Sequence, residues 1–229
     1  MKQHVLLAAL ALTVMGAQAQ KAAVSSSDIA PDAPVKPGVV SYIGIDELSA
    51  PLKAAAMKDL QANALAERRT YAHIPDEAVR YRKNYAENIK NFGNAKTNLT
   101  FKLADIQRSQ LANYKYEGIV PDGPTKQGPW SRINRVFVRP DGVVVMLYEW
   151  DYPSDDGGIS IVKELMNTSV GSVPARYSVA KSPSGDVVTE LLWVEKDKYF
   201  TITVLGEVPN NDRSSYNLSW LRNIASSIR

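Results

Sequence analysis

The stretch 132–150 constrains the fold more than any other part of the chain, because it has the pattern of a β-hairpin. Two runs rich in β-branched and aromatic residues, 132–139 and 143–150, are joined through Pro140-Asp141-Gly142. Proline presets φ, aspartate hydrogen-bonds its own backbone and glycine accepts the left-handed conformation, so this sequence favours a tight turn. The second run is apolar on both alternating faces, which predicts a central strand covered on two sides.

The rest of the chain predicts an α+β fold. Residues 46–70 and 76–92 have helical periodicity, and Pro75 and Gly93 mark the ends of the second helix. We predict an antiparallel sheet of about six to eight strands, with a C-terminal helix packed on it and an N-terminal helical pair. After residue 98 the strand pattern occupies 99–103, 114–119, 159–165, 173–181, 187–194 and 199–205, and a helix follows from about residue 213.

The N-terminus has the pattern of a secretory signal peptide. A basic start, Met1-Lys2-Gln3-His4, precedes an apolar run from Val5 to Met15 and the site Ala17-Gln18-Ala19. The run is too short to span a bilayer as a helix, and the Ala-x-Ala site predicts cleavage after Ala19. We therefore predict export to a bacterial periplasm, with release to the outside as the alternative.

The predicted organisation has four segments. They are a signal peptide at 1–19, a flexible leader rich in proline, alanine and serine at 20–44, a helical pair at 45–95, and an antiparallel β-sheet domain with its C-terminal helix at 96–229. Whether the helical pair packs on the sheet or stands apart is left open by the sequence.

Composition excludes several classes of site. The chain has no cysteine, which excludes disulfides, thiol catalysis, cysteine–zinc sites and a lipid anchor on cysteine. Its net charge of +3 at pH 7 is too balanced to indicate a nucleic-acid partner or an anionic membrane surface. We expect a soluble mature protein with no transmembrane anchor, and no motif predicts a cofactor.

The order of elements in the C-terminal half resembles a bacterial family of domains. Val170-Gly-Ser-Val-Pro-Ala175 leads into a strand, Leu191-Leu-Trp-Val194 and Tyr199-Phe-Thr-Ile-Thr-Val204 form the next two, and Leu221-Arg-Asn-Ile-Ala-Ser-Ser-Ile228 ends a helix. The layout is similar to extracytoplasmic sheet-plus-terminal-helix domains, among them the C-terminal domains of anti-sigma regulators and PsbP-like domains. The resemblance implies binding or regulation and supplies no catalytic residues.

The sharpest polar cluster is acidic and lies beside aromatic residues. Its four carboxylates suit a solvated loop, protein recognition, a weak calcium site or paired acid–base catalysis, although their spacing does not match an EF-hand loop. The aromatic side chains alternate on one strand face, where they would be core or an exposed interaction patch. The cluster is Glu149, Asp151, Asp155 and Asp156; the calcium candidates are Asp151, Asp155 and Asp156; the interaction candidates are Tyr148, Trp150, Tyr152, Asp155 and Asp156.

Two further polar residues have simpler interpretations. His73 is the only histidine in the predicted mature chain, and no Gly-x-Ser-x-Gly motif accompanies it, so it suits a surface or cap position. Arg132 on the first hairpin strand can pair with Glu149 on the second, which would be structural.

The leading hypothesis for function is a soluble periplasmic, non-enzymatic protein-binding module, such as an inhibitor or immunity-type partner of a secreted enzyme. Its partner would be another protein of the cell envelope. The alternative is a periplasmic small-molecule or lipid-binding protein, which needs a cavity between sheet and helices. A hydrolase that uses the carboxylates of 149–156 is the third class.

Overall fold

A computed structural model describes residues 36–66, 72–91, 98–122, 128–195 and 197–228. The predicted signal peptide and most of the predicted leader lie outside these residues. The strands are β1 Val40–Ile43, β2 Ala72–His73, β3 Lys115–Asp122, β4 Arg132–Val138, β5 Val144–Trp150, β6 Ile159–Val162, β7 Thr168–Val170, β8 Val173–Lys181, β9 Val187–Val194 and β10 Tyr199–Val204. The helices are α1 Ala50–Ala66, α2 Asp76–Lys83, α3 Tyr85–Asn91 and α4 Leu218–Ser226.

One large sheet organises the fold. Its eight strands follow the order β2-β8-β9-β10-β5-β4-β3, and β7 forms a hairpin with β8. The α+β class, the sheet and the C-terminal helix are confirmed. The sheet is mixed rather than purely antiparallel, because the short strand β2 runs parallel to β8.

The predicted hairpin is the centre of this sheet. β4 and β5 pair antiparallel from Arg132 opposite Trp150 to Val138 opposite Val144. Gly142 takes a φ of +86°, and its N–H donates to the carbonyl of Arg139 at 2.9 Å. β10 pairs with the other edge of β5, so β5 is an interior strand, as its two apolar faces predicted.

One face of the sheet is closed by α4 and by the segment 98–113, and we call it the α4 face. The apolar stripe of α4, made of Leu221, Ile224 and Ala225, packs on the strands. The side chain of Asn217 caps the helix by accepting the Trp220 N–H at 2.9 Å. The sheet residues in this core include Phe137, Val145, Leu147, Leu191, Trp193, Phe200, Ile202 and Val204.

The opposite face has two separate covers, and we call it the divided face. At one end, β1 and β6 form a two-stranded parallel sheet that packs on Tyr148, Trp150 and Tyr199, and α1 packs on the outside of β6. At the other end, α2 packs on β9 through Val79 and Val188, and α3 packs on β3, β4 and β5. The helical pair therefore lies on the sheet.

Several predicted elements differ in the structure. The predicted helix 76–92 breaks into α2 and α3 at Asn84, which has non-helical angles of φ −81° and ψ 20°. The predicted leader 20–44 ends in an ordered strand, β1, because its apolar residues pair with β6 in the distant part of the chain. The predicted C-terminal helix begins later, at Leu218, where the Asn217 cap lies.

Two predicted strands are shorter or absent. The segment 99–103 contributes only the bridge between Leu99 and Trp130, because its alternating apolar side chains pack against Ile119 and Ile133 without a backbone ladder. The predicted strand 159–165 ends at Val162, and a 3₁₀ turn follows.

Candidate functional site

A row of polar side chains crosses the divided face between its two covers. We call it the polar band: Asn134, Tyr148, Arg176, Ser178, Glu190, Thr201 and Thr203. Tyr148 lies opposite Asn134 on one side and opposite Thr201 on the other. Thr203 and Ser178 both lie opposite Glu190. Since side chains alternate along a strand, this register places the whole band on one face.

Two ion pairs join the covers to the polar band. In one the arginine belongs to the cover, and in the other it belongs to the sheet. Arg82 of α2 donates to Glu190 at 2.8 Å, and Glu190 also accepts the Thr203 hydroxyl at 3.3 Å. Arg176 donates to Asp59 of α1 at 3.0 Å. The bridging side chains are largely buried, so the pairs fix the distance between each cover and the sheet more firmly than exposed pairs would.

Tyr148 is the most distinctive residue of the polar band. It is 9% exposed, and its ring meets the edge of the Tyr199 ring with centroids 6.0 Å apart. No residue that the structure describes forms a hydrogen bond with its hydroxyl group. A buried ring with an unbonded polar tip is what a binding site offers to a ligand that can complete the hydrogen bond.

The phenols around the band stay protonated. Burial raises the pKa of Tyr148 well above its ordinary value, and the negative charge of Asp122 raises it further. The same two causes, in the same order, raise the pKa of Tyr81 on α2. Burial also raises the pKa of Tyr199. These groups therefore act as neutral hydrogen-bond donors, and the arrangement is unsuited to a phenolate base or nucleophile.

The predicted aromatic patch is core. Tyr148, Trp150 and Tyr152 are all buried, and the β1–β6 sheet covers them with Ile159 and Ile161. Of the two alternatives for these rings, the core interpretation is confirmed. They offer no aromatic surface to a protein partner.

Asp155 is a structural clamp rather than an exposed loop residue. One of its oxygens accepts from the Nε and Nη2 of Arg132, at 3.0 and 2.9 Å, and from the indole N–H of Trp150 at 2.8 Å. Its side chain is 12% exposed. The Arg132 guanidinium also lies 4.4 Å from the centre of the Trp150 ring. The expectation of a solvated Asp155 was wrong, because the 3₁₀ turn 152–155 brings this carboxylate back onto β4 and β5.

The predicted calcium ligands point to different partners. Asp151 accepts from the hydroxyls of Thr100 and Ser154, whereas Asp156 is exposed at the end of the 3₁₀ turn, with a φ of +53°. No group of three or more histidine or acidic residues that could hold a metal ion occurs in the described parts of the chain. Asp151, Asp155 and Asp156 therefore do not form the predicted site.

Glu149 belongs to the other face of the sheet. It is fully buried, lies 2.7 Å from the Nη2 of Arg135, and accepts the N–H of Ala104 at 2.8 Å. Burial raises its pKa, against the attraction of Arg135. The expected pair with Arg132 was wrong, because the hairpin register places Ile133 opposite Glu149 and sends Arg132 to the divided face. The carboxylates of 149 and 155 thus lie on opposite faces of the sheet and do not face each other as an acid–base pair.

The polar band was not predicted from the sequence, although β10 carried a signal for it. Thr201 and Thr203 alternate with Phe200, Ile202 and Val204 in an otherwise apolar strand. Such hydroxyls on an interior strand indicate a face with a polar environment. The signal was incomplete, because only the strand order brings them beside Tyr148 and Glu190. His73 lies exposed on β2, as expected for a surface position.

Comparison of the chain with models of protein families, with curated proteins and with solved structures found no match. The resemblance to extracytoplasmic sheet-plus-terminal-helix domains therefore stays a prediction. Among the helices within the described ranges, none is long and apolar enough to cross a membrane.

Proposed function

We propose that the chain is an exported, non-enzymatic binding protein of the bacterial periplasm, and that it takes a small polar molecule on the polar band. The observation that carries this proposal is the hydroxyl of Tyr148, which forms no hydrogen bond with any described residue although the residue is nine-tenths buried, and which lies among polar side chains between two covers. Convergent polar groups on a recessed, rigid floor are typical of small-molecule sites. Central strands supply this floor, so it is preformed.

A small ligand fits this geometry better than a protein partner does. The hypothesis of a protein partner rested on export, on the lack of catalytic motifs and on the tether-like leader, and its candidate surface was Tyr148, Trp150, Tyr152, Asp155 and Asp156. Of these side chains only Asp156 is exposed; the three rings are buried and Asp155 is held by Arg132 and Trp150. Protein interfaces centre on accessible aromatic residues. The two threonines and the tyrosine of the polar band are each less than a tenth exposed, so they present little surface to a protein. The small-molecule alternative thus gains the support that the protein-binding hypothesis loses.

Binding also fits better than catalysis. The phenols of the band are held in their protonated form, and Glu190 is engaged by Arg82 and Thr203. A general base must be free to accept a proton from the substrate at the working pH. These side chains are arranged to hold a ligand and not to transfer a proton.

The test is a thermal-shift screen of the mature chain against sugars, amino acids, organic acids and amines. A compound that binds the band should raise the melting temperature of the parent, since a ligand stabilises the state that it binds. The Tyr148→Phe variant should lose much of that shift. Tyr116→Phe is the control, because Tyr116 is exposed and lies on the α4-face side of β3. If Tyr148→Phe responds like the parent to every compound that binds, the polar band is not the site.

The proposed location has its own test. N-terminal sequencing of the protein from a periplasmic extract should give Gln20 as the first residue, because cleavage is expected after Ala19. An unprocessed chain retained in the membrane fraction would contradict export as a soluble protein.

A further inference from the structure

The charged side chains in and beside the polar band are already matched with one another. Asp122, which lies opposite Arg132 on β3, is engaged as well. Among these side chains an ionised ligand would meet no unmatched charge, and losing its hydration would cost free energy. The matched pairs are Arg82–Glu190 at 2.8 Å, Arg176–Asp59 at 3.0 Å and Arg132–Asp155 at 2.9 Å.

Two neutral side chains of the band keep their hydrogen-bonding capacity. The amide of Asn134 and the hydroxyl of Tyr148 form no hydrogen bond with any residue that the structure describes. The two residues lie directly opposite each other on β4 and β5, and Thr201 lies opposite Tyr148 on β10. Opposite side chains on antiparallel strands are about 5 Å apart, so this row of three residues spans about 10 Å. Strand register alone therefore brings an amide, a phenol and a hydroxyl into one line.

The three groups share one kind of hydrogen-bonding chemistry. An amide, a phenol and a hydroxyl each donate and accept, whereas an ammonium group only donates and a carboxylate only accepts. The phenol stays protonated, since burial raises the pKa of Tyr148. A ligand hydroxyl also donates and accepts, so it can satisfy any of the three groups, and a charged head group would leave part of their capacity unused.

We infer that the row Asn134, Tyr148 and Thr201 is a subsite for an uncharged, hydroxyl-rich ligand, a monosaccharide or a short polyol. Asn134 is partly exposed, whereas Tyr148 and Thr201 are each less than a tenth exposed. The accessible end of the row is therefore at β4. This inference rests on the proposed function, a small polar molecule on the polar band, and names the ligand class of the same site.

The probes are matched sugars that differ in charge. Glucose, galactose and mannose are each compared by isothermal titration calorimetry with the corresponding 2-amino sugar and uronic acid, at about pH 6, where the amine is cationic and the carboxylate anionic. The mature parent should bind at least one neutral sugar about tenfold or more tightly than both of its charged analogues.

A pair of asparagine variants locates the subsite. Asn134→Asp should weaken binding of that neutral sugar about tenfold or more, because it removes the amide donor and adds an unmatched charge. Asn113→Asp is the matched control: it makes the same change at an exposed position in the segment that closes the α4 face, and it should leave the affinity unchanged.

A second measurement does not depend on a variant that folds. In the parent with isotope-labelled asparagine, the neutral sugar should shift the side-chain amide resonances of Asn134 and leave those of Asn113 in place. Shifts confined to other asparagines would overturn the inference, as would equal or tighter binding of the charged analogues, or no binding by any of the neutral sugars. If an ionised compound of the thermal-shift screen then binds in a Tyr148-dependent way, the proposed function stands without this ligand class. If no compound does, both proposals fail.

Discussion

The α4 face and the divided face are built by the same strands and yet are covered differently. On the α4 face, one helix and the segment 98–113 close continuously over apolar side chains, around the buried pair of Arg135 and Glu149. On the divided face, two covers meet the sheet at opposite ends and the polar band lies between them. The first arrangement maximises apolar burial, and the second leaves a strip of polar side chains, several of which bond one another or the covers.

The difference indicates where stability and binding reside. Apolar burial is worth about 25 cal/mol per Å² of surface removed from water, whereas the net contribution of a hydrogen bond to stability is about 0.5–1.5 kcal/mol. We therefore expect substitutions on the α4 face to change stability, and those in the polar band to change binding with little effect on stability.

The largest effect is expected at the buried ion pair of the α4 face. Glu149→Leu leaves the Arg135 guanidinium buried without its carboxylate and should lower the free energy of unfolding by about 3–5 kcal/mol. Urea unfolding measures it. The double variant Arg135→Met, Glu149→Leu should recover most of the loss, since it removes both charges. A single variant that lost less than about 1 kcal/mol would show that the pair is not closed to water.

Neighbouring residues of β5 give the next comparison. Leu147 is fully buried under α4, and Leu147→Ala should lower the free energy of unfolding by about 2–5 kcal/mol, through lost burial and the cavity left behind. Met146 faces α3 on the divided face. The loss in free energy of unfolding for Met146→Ala should lie at the low end of the range, because α3 can move to fill part of the cavity. Urea unfolding of both variants provides the measurement. Losses below about 0.5 kcal/mol at both sites would mean that β5 is not the central strand.

A smaller effect is expected at the Asp155 clamp. Asp155→Asn removes the charge that holds Arg132 and the Trp150 indole, and it should cost about 1–3 kcal/mol by thermal or urea unfolding. Asp156→Asn, one residue further and exposed, is the control and should change stability by no more than about 0.5 kcal/mol. Calcium should stabilise neither parent nor variant. If the two variants have equal melting temperatures, Asp155 is a solvated loop residue, as the sequence indicated.

Local sequence patterns predicted the individual strands well. The pairing of distant strands could not be predicted from the sequence. The turn at 140–142 and the alternation of 187–194 and 199–204 lie within short windows, so these strands were predicted almost to the residue. The pairing of β1 with β6 joins positions near 40 and 159 in parallel, and no local period indicates it. The polar band also needs the strand order, because its members come from β4, β5, β8, β9 and β10.

The register of the hairpin explains why the predicted pair of Arg132 with Glu149 was wrong. The backbone N–H of Arg139 donates to the carbonyl of Val143 at 2.9 Å, beside the turn. Counting outward from that pair places residue 133 opposite 149 and residue 132 opposite 150. Because side chains alternate, this count assigns Arg132 and Glu149 to opposite faces. The partner Asp155 lies on a turn beyond β5, and its position follows only from the fold.

The smallest change in stability, and the sharpest test of the comparison, is expected for Tyr148→Phe. The variant keeps the buried ring and removes a hydroxyl that no described residue bonds, so near neutral pH it should unfold within about 0.5 kcal/mol of the parent. Alkaline pH should separate them. The pKa of Tyr148 is raised in the folded state, so above the ordinary tyrosine value of about 10 the unfolded chain loses this proton first and the parent is destabilised. Phenylalanine has no such proton, and the variant should then be the more stable. A clear loss at neutral pH would show that the hydroxyl is part of the fold and not reserved for a ligand. Parallel stability curves at high pH would show that Tyr148 ionises as readily in the folded chain as in the unfolded one.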